Sequence, residues 1–203
     1  MKKIMFNDRF GLTQAVLEGR KLQTRRIIND VDNLLFYDFG IEYNGKQYAS
    51  FMYSEGAFTI DIYLPYQVGE IVAIAQSYKD VYEARLASDL FFDLEVYNEA
   101  GWDNKMFVKA KLMPHHIKIT NVRVERLQDI SEEDCIAEGI YEDQKDAIGK
   151  WVNRFGFDDI KNPYGHWHNT PKEAYATLID KVGKKGTWES NPWVFVYEFE
   201  LVD

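Results

Sequence analysis

The chain has almost no cysteine. Cys135 stands alone among 203 residues, which excludes an intrachain disulfide framework and any thiolate metal cluster built by the chain itself. Long apolar runs are missing as well, and none approaches the roughly 20 residues that a membrane span needs. The opening "MKKIMFNDRF" has two lysines, but Asn7, Asp8 and Arg9 interrupt it before an apolar region develops, so a secretory leader is not expected. A cytoplasmic protein is the natural expectation. Positive charge is also short, with Lys+Arg at 24 against Asp+Glu at 33 and a formal charge of -9. Overall charge would therefore repel a long duplex nucleic acid, and a local basic patch is left to hold a short segment or one nucleotide. No Gly-rich phosphate loop is present: "GKKGTW" lacks the spacing and the preceding strand, and it reads as a helix C-cap and turn.

What is abundant is aromatic. Tyr and Phe number 13 each, hydrophobic residues make up 46% and charged residues 28%; these are globular values with a bias toward strands, where flat rings pack on pleated surfaces. The length fits one domain with elaborations. "NDRFGLTQAVLEG" predicts a short helix, with Leu12, Ala15 and Val16 at helical spacing and Gly19 closing its end. Two to four strands are expected between Leu34 and Tyr66, with a hairpin at Asn44-Gly45. A buried strand follows at about 70–75, and the tract 78–103 suits helix or strand equally. "HIKITNVRVERL" predicts a long strand with a bulge near Asn121, because buried parity shifts from Ile117 and Ile119 to Val122 and Val124. Ser131 marks a helix N-cap, with Asp134 in a capping-box role and Ile130 stapled on Cys135. Cys135 is thus expected to be packed rather than reactive. "TPKEAYATLIDKVG" predicts a helix capped by Thr170, and "WVFVYEFELV" a closing strand. The whole reads as α+β with a small barrel.

Two clusters invite chemistry. The histidine pairs His115-His116 and His166/His168 are read as loop histidines, and no metal or cofactor is expected. The other cluster is "GRKLQTRR", residues 19–26, with four cations in eight positions. Extended after Gly19, it would send Lys21, Gln23 and Arg25 to one side, and Leu22, Thr24 and Arg26 to the other. An amine, a hydroxyl and forked guanidiniums beside a helix end suit a phosphate or a base edge; a basic turn satisfying the last carbonyls of the helix is the alternative.

"GLTQAVLEGRKLQTRRI" resembles the G-x-K-x-x-T-x-R signature of the ASCH domain family, and "VGEIVAIAQSY", "ITNVRVERLQDISEEDCIAEGI" and "ESNPWVFVYEFELV" are similar to its phage-type members in order. The resemblance spans about half of the residues, with insertions at about 29–65 and 141–169. It implies a PUA-like fold, a small mixed β-barrel with flanking helices in a single domain, and a cleft that binds RNA or modified nucleotides. One branch hydrolyses the acetyl amide of 4-acetylcytidine with a lysine, a threonine and a glutamate. The lysine and threonine match Lys21 and Thr24, and the family arginine matches Arg26. By its strand, the glutamate matches Lys118; Glu70 and Glu125 are the alternatives. Where phage-type members read Arg-Glu-Thr-Trp, this chain has Ala75-Gln76-Ser77-Tyr78.

The expectation is therefore an RNA- or modified-nucleotide-binding module, with Lys21, Thr24, Arg25 and Arg26 at a cleft edge and Gln76, Tyr78 and Lys118 as further contacts. An amidohydrolase using Lys21 and Thr24 is the second reading. The third is a phage or mobile-element accessory protein acting by protein contact through 34–66. Of the tryptophans near the end, Trp193 is expected in the core, and Trp188 is left open between core and base stacking. A carboxylate facing Lys21 would favour catalysis; Lys118 there would make an anion site.

Overall fold

The computed structural model describes residues 1–53, 56, 58–87, 99–145, 148–162 and 164–202. In chain order the elements are β1 Lys3–Ile4, α1 Leu12–Leu17, β2 Gln23–Ile27, β3 Leu35–Ile41, β4 Gln47–Met52, β5 Thr59–Tyr63, β6 Ile71–Ile74 and α2 Tyr78–Ala87. Then come β7 His116–Arg126, α3 Glu132–Ala137, β8 Tyr141–Lys145, β9 Trp151–Phe157, β10 His166–His168, α4 Pro171–Val182, α5 Thr187–Ser190 and β11 Trp193–Leu201. The tract 78–103 thus begins as a helix; the aromatic and leucine positions 90–96 lie outside the described residues.

The fold is mixed α+β and consists mostly of sheet. The main sheet has the order β1-β6-β7-β11-β2, and two further three-stranded sheets have the orders β3-β4-β5 and β10-β9-β8. Among the described residues the expected barrel does not close. β1 has two residues, pairs parallel on β6 and does not reach β2, so the ends of the strand order stay apart. A side chain crosses that seam instead: Arg26 Nη2 donates to the Met5 carbonyl at 2.8 Å.

Local chemistry accounts for the elements. β11 lies between β7 and β2 and buries consecutive residues Val194 to Tyr197 on both faces, where continuous apolar sequence is required rather than alternation. The bulge falls where the parity of β7 shifts: Asn121 pairs with Glu198 and Ile119 with Phe199, which leaves Thr120 extra. Asn44-Gly45 turns β3 into β4, with the Asn44 side chain accepting from the Lys46 amide. Thr170 caps α4 by accepting from the Glu173 amide, with Pro171 at the first helical position. α4 buries Ala174, Tyr175 and Leu178 in the main core, and a leucine so placed contributes about 1.5–3 kcal/mol. Ile179 and Val182 on the same face stay partly uncovered. Ser131 caps α3 as expected, but the Asp134 carboxylate does not complete a capping box; it is drawn to Arg25 and Arg123.

The main core takes residues from all three sheets, including Phe51 of β4, Phe157 of β9 and Tyr197 of β11. The region after β9 is also tied down by charge. Arg9 grips the buried Asp159 with Nε at 2.9 Å and Nη2 at 3.0 Å, and His166 Nε2 lies 3.1 Å from the same carboxylate. The Arg9 hydrogen bonds hold the Asp159 carboxyl far below the usual range.

Candidate functional site

Of the four cations in the basic stretch, Lys21 and Arg25 are buried, Arg26 is half-buried and Arg20 is exposed. Gly19, at φ 70°, ends α1 in the left-handed conformation, which a side-chain-free residue adopts without strain. The amides of Arg20 and Lys21 then share the Ala15 carbonyl at 2.8 and 2.9 Å. The following strand is held on both sides: the Leu22 amide donates to Ala137 O, and the Phe199 amide to Leu22 O. Alternation does what the sequence predicts. Lys21, Gln23 and Arg25 reach toward α3, whereas Arg26 reaches Met5.

What they reach is a set of carboxylates. Lys21, 2% exposed, donates from Nζ to one Glu138 carboxylate oxygen at 2.6 Å and to the Glu138 carbonyl at 2.8 Å. Arg25 donates from Nη1 to the other Glu138 oxygen at 3.0 Å, from Nη2 to Asp134 at 2.8 Å, and from Nη2 and Nε to Glu125 at 2.6 and 2.9 Å. Arg123 contacts Glu125, Asp134 and Glu198. Three cations thus face four carboxylates in one connected network, so the cluster is neutralised from within and presents no spare charge to a polyanion.

Glu138 is the residue that sequence reasoning missed. It is the C-cap of α3, where the negative end of the helix dipole disfavours a carboxylate unless cations compensate. Lys21 and Arg25 supply that compensation. Gly139 follows at φ 104°, a left-handed turn that glycine adopts without strain and that brings the chain out of the helix beside the lysine. An acidic residue at a helix end, followed by glycine, was the available signal.

Burial pushes the Lys21 amine below the usual lysine range, with Glu138 opposing. For Arg25, burial works against the charge but Glu138 and Glu125 outweigh it, and the guanidinium stays protonated. Burial raises the Cys135 thiol to about 12, and that residue is inert packing.

A pocket of about 70 Å³ lies at the open seam of the main sheet, lined by Lys21, Thr24, Arg25, Arg26, Glu138 and Tyr175 among others. Apolar walls from Phe6, Leu12 and Leu178 complete it, and the partly exposed Met5 and Val182 flank it. Thr24 is 6% exposed, and its hydroxyl has no hydrogen-bond partner among the described residues.

The other expected contacts are elsewhere. Tyr78 is fully buried in a second apolar cluster, its hydroxyl accepting from the Lys109 amide at 2.8 Å. Gln76 adjoins Met113 in the same region. Lys118 is exposed near Glu200 at 3.6 Å and does not face Lys21. Glu70 pairs with Lys2, and Glu125 serves Arg25. Trp193 packs edge-on to Phe51 and donates to Leu34 O, while Trp188 meets Tyr175 edge-on. His166 is engaged by Asp159 and stacks on Phe157.

No family model, curated protein or solved structure matches this chain. No helix among the described residues is long and apolar enough to cross a membrane.

Proposed function

We propose that the chain is an ASCH-like module of PUA-like type whose seam pocket hydrolyses a short acyl amide on a nucleobase or nucleoside, of the 4-acetylcytidine class. The observation that carries this is the 2.6 Å contact between Lys21 Nζ and the Glu138 carboxylate in a pocket that Thr24 also lines. It supplies the carboxylate that Lys118 cannot provide. The volume, about two waters at roughly 30 Å³ each, suits an acetyl group with the heterocycle held at the mouth. Apolar walls beside polar groups match a methyl next to an amide.

In this reading Lys21 first passes its proton to Glu138, and the amine so freed takes the Thr24 hydroxyl proton as Thr24 Oγ1 adds to the acyl carbon. Glu138 delivers the proton it received from Lys21 to the leaving nitrogen as the C–N bond breaks. The freed amine departs, leaving an acyl-threonine ester. Water, deprotonated by Lys21 in the same way, then cleaves the ester to a carboxylic acid and restores the hydroxyl. The lowered Lys21 pKa supports the base role, since more free amine is present near neutrality. Binding of a modified nucleoside is the first step of the same scheme; gripping RNA by phosphate contacts is less supported, because Arg25 is spent on carboxylates.

The test is release of cytidine and acetate from 4-acetylcytidine at high protein concentration, followed chromatographically. Thr24→Val, which keeps the shape and removes the hydroxyl, should lower turnover by about 10²–10⁴-fold. Wild-type protein that leaves the amide intact would sink the hydrolytic reading.

One observation favours a second reading, contact with another protein. The edge strand β3 exposes Leu35, Tyr37, Phe39 and Ile41; the bulge between Phe36 and Asp38 divides them between its two sides, with Phe39 and Ile41 on the side of Phe36, and exposed hydrocarbon on an edge strand marks interaction surfaces. Loss of a co-purifying partner in Tyr37→Ser/Ile41→Ser would support it; retention would count against it.

A further inference from the structure

Besides Thr24, the pocket has two donors on fully buried atoms that have no partner among the described residues. The Tyr175 hydroxyl and Arg26 Nε are both buried without a hydrogen-bond partner, and both residues line the pocket. Tyr175 is 2% exposed, and leaving a hydroxyl unpaired at such depth costs about 1–3 kcal/mol. A buried orphan that serves the fold would ordinarily be paired or replaced by Phe. The rest of the side chain is firmly placed, with its ring edge-on to Trp188 at 6.3 Å and 5.9 Å from the Arg25 guanidinium. The ring is thus held in place in the wall of the pocket that Lys21, Thr24 and Glu138 also line.

We infer that Tyr175 is a substrate-contacting residue whose hydroxyl donates a hydrogen bond to the acyl carbonyl oxygen and to the oxyanion it becomes. This rests on the hydrolytic reading of the same pocket. A donor preset where charge develops is worth more than one recruited from solvent, because nothing reorganises during the reaction. Burial, reinforced by Glu138, raises the Tyr175 pKa well above the usual phenol value, so the group remains a donor across the working range. Arg26 Nε, the other unpaired donor, makes the pocket selective for ligands rich in acceptors, as an acylated cytosine is.

The experiment is Tyr175→Phe, which keeps the ring and removes one oxygen. The expected result is a fall of about 10²–10³-fold in kcat for 4-acetylcytidine, with a thermal midpoint equal to or above that of wild type. Unchanged kcat overturns the inference. So does a loss of activity accompanied by a lowered midpoint, since the hydroxyl would then serve the fold. If wild-type protein leaves 4-acetylcytidine intact, the hydrolytic reading fails, and calorimetric titration with the same compound tests Tyr175 separately. An affinity at least about ten-fold weaker in the variant supports the donor; equal affinity, or no binding by either protein, overturns it.

Discussion

In β2 the polar residues Gln23, Thr24 and Arg25 are each less than 8% exposed, whereas in β3 the apolar residues Leu35, Tyr37 and Ile41 are each more than half exposed. The usual partition of charge outside and hydrocarbon inside is reversed in both strands. β2 is tolerated because each buried cation meets a carboxylate, so the desolvation cost of one group is offset by the next. β3 is tolerated because its exposed face costs little by itself and its strand still pairs with β4. Composition alone therefore does not decide burial; the availability of partners does. Charge held inside at this cost, in a pocket, points to chemistry, while hydrocarbon left outside points to contact.

The comparison is broken most forcefully at Glu138. Glu138→Gln leaves Lys21 and Arg25 facing an amide in place of a carboxylate. Removing one member of a buried ion pair costs about 3–5 kcal/mol, and the remaining Arg25 contacts with Glu125 and Asp134 place the expected loss at the lower end of that range. Urea unfolding would measure it. Turnover of 4-acetylcytidine should fall by about 10²–10⁴-fold in protein confirmed to be folded. A variant as stable and as active as wild type would mean that the pair neither holds the fold nor relays a proton.

Much of this architecture was legible. The Gly19 end of α1, the Thr170 cap of α4, the Asn44-Gly45 hairpin, the bulge in β7 and the common side of Lys21, Gln23 and Arg25 all follow from rules acting over a few residues, whereas α1 starts only at Leu12, after the left-handed Gly11. Glu138 was not legible in that way. Its contact with Lys21 spans 117 positions, and local reading makes it only the end of a helix, whereas the resemblance points to Lys118 on β7, with Glu70 and Glu125 as alternatives. Tyr78 reads as a cleft contact in sequence because "VGEIVAIAQSY" gives no sign of where the buried run stops. The hydroxyl of Tyr78 finds its partner in the Lys109 amide, 31 residues away. Barrel closure failed as an expectation for a similar reason: strand existence is local, but whether β1 meets β2 depends on the length of a two-residue edge.

A smaller effect sharpens the same contrast through pH. The Lys21 amine binds its proton less tightly in the fold than free lysine does, chiefly through burial. If its free amine is the base, kcat/KM rises with pH and inflects below the ordinary lysine value of about 10.4. Stability carries the same sign. The unfolded chain holds the proton more tightly, so folding stability increases with pH from the depressed folded value up to about 10.4. Lys21→Met should remove that alkaline gain in a series of thermal midpoints. A kcat/KM profile that falls with rising pH up to about 10 would take Lys21 out of the base role.

The smallest effect belongs to β3. Tyr37, 64% exposed, and Ile41, 67% exposed, stand on an edge strand with their outer faces in solvent, so Tyr37→Ser/Ile41→Ser removes little buried area. The unfolding free energy of the isolated chain should change by less than about 0.5 kcal/mol per site, with hydrolysis unaltered because neither residue lines the seam pocket. A loss of more than about 2 kcal/mol would show that hydrocarbon on β3 is covered within the chain or by a second copy. The contrast with β2 would then be one between two buried strands that differ only in what they are buried against.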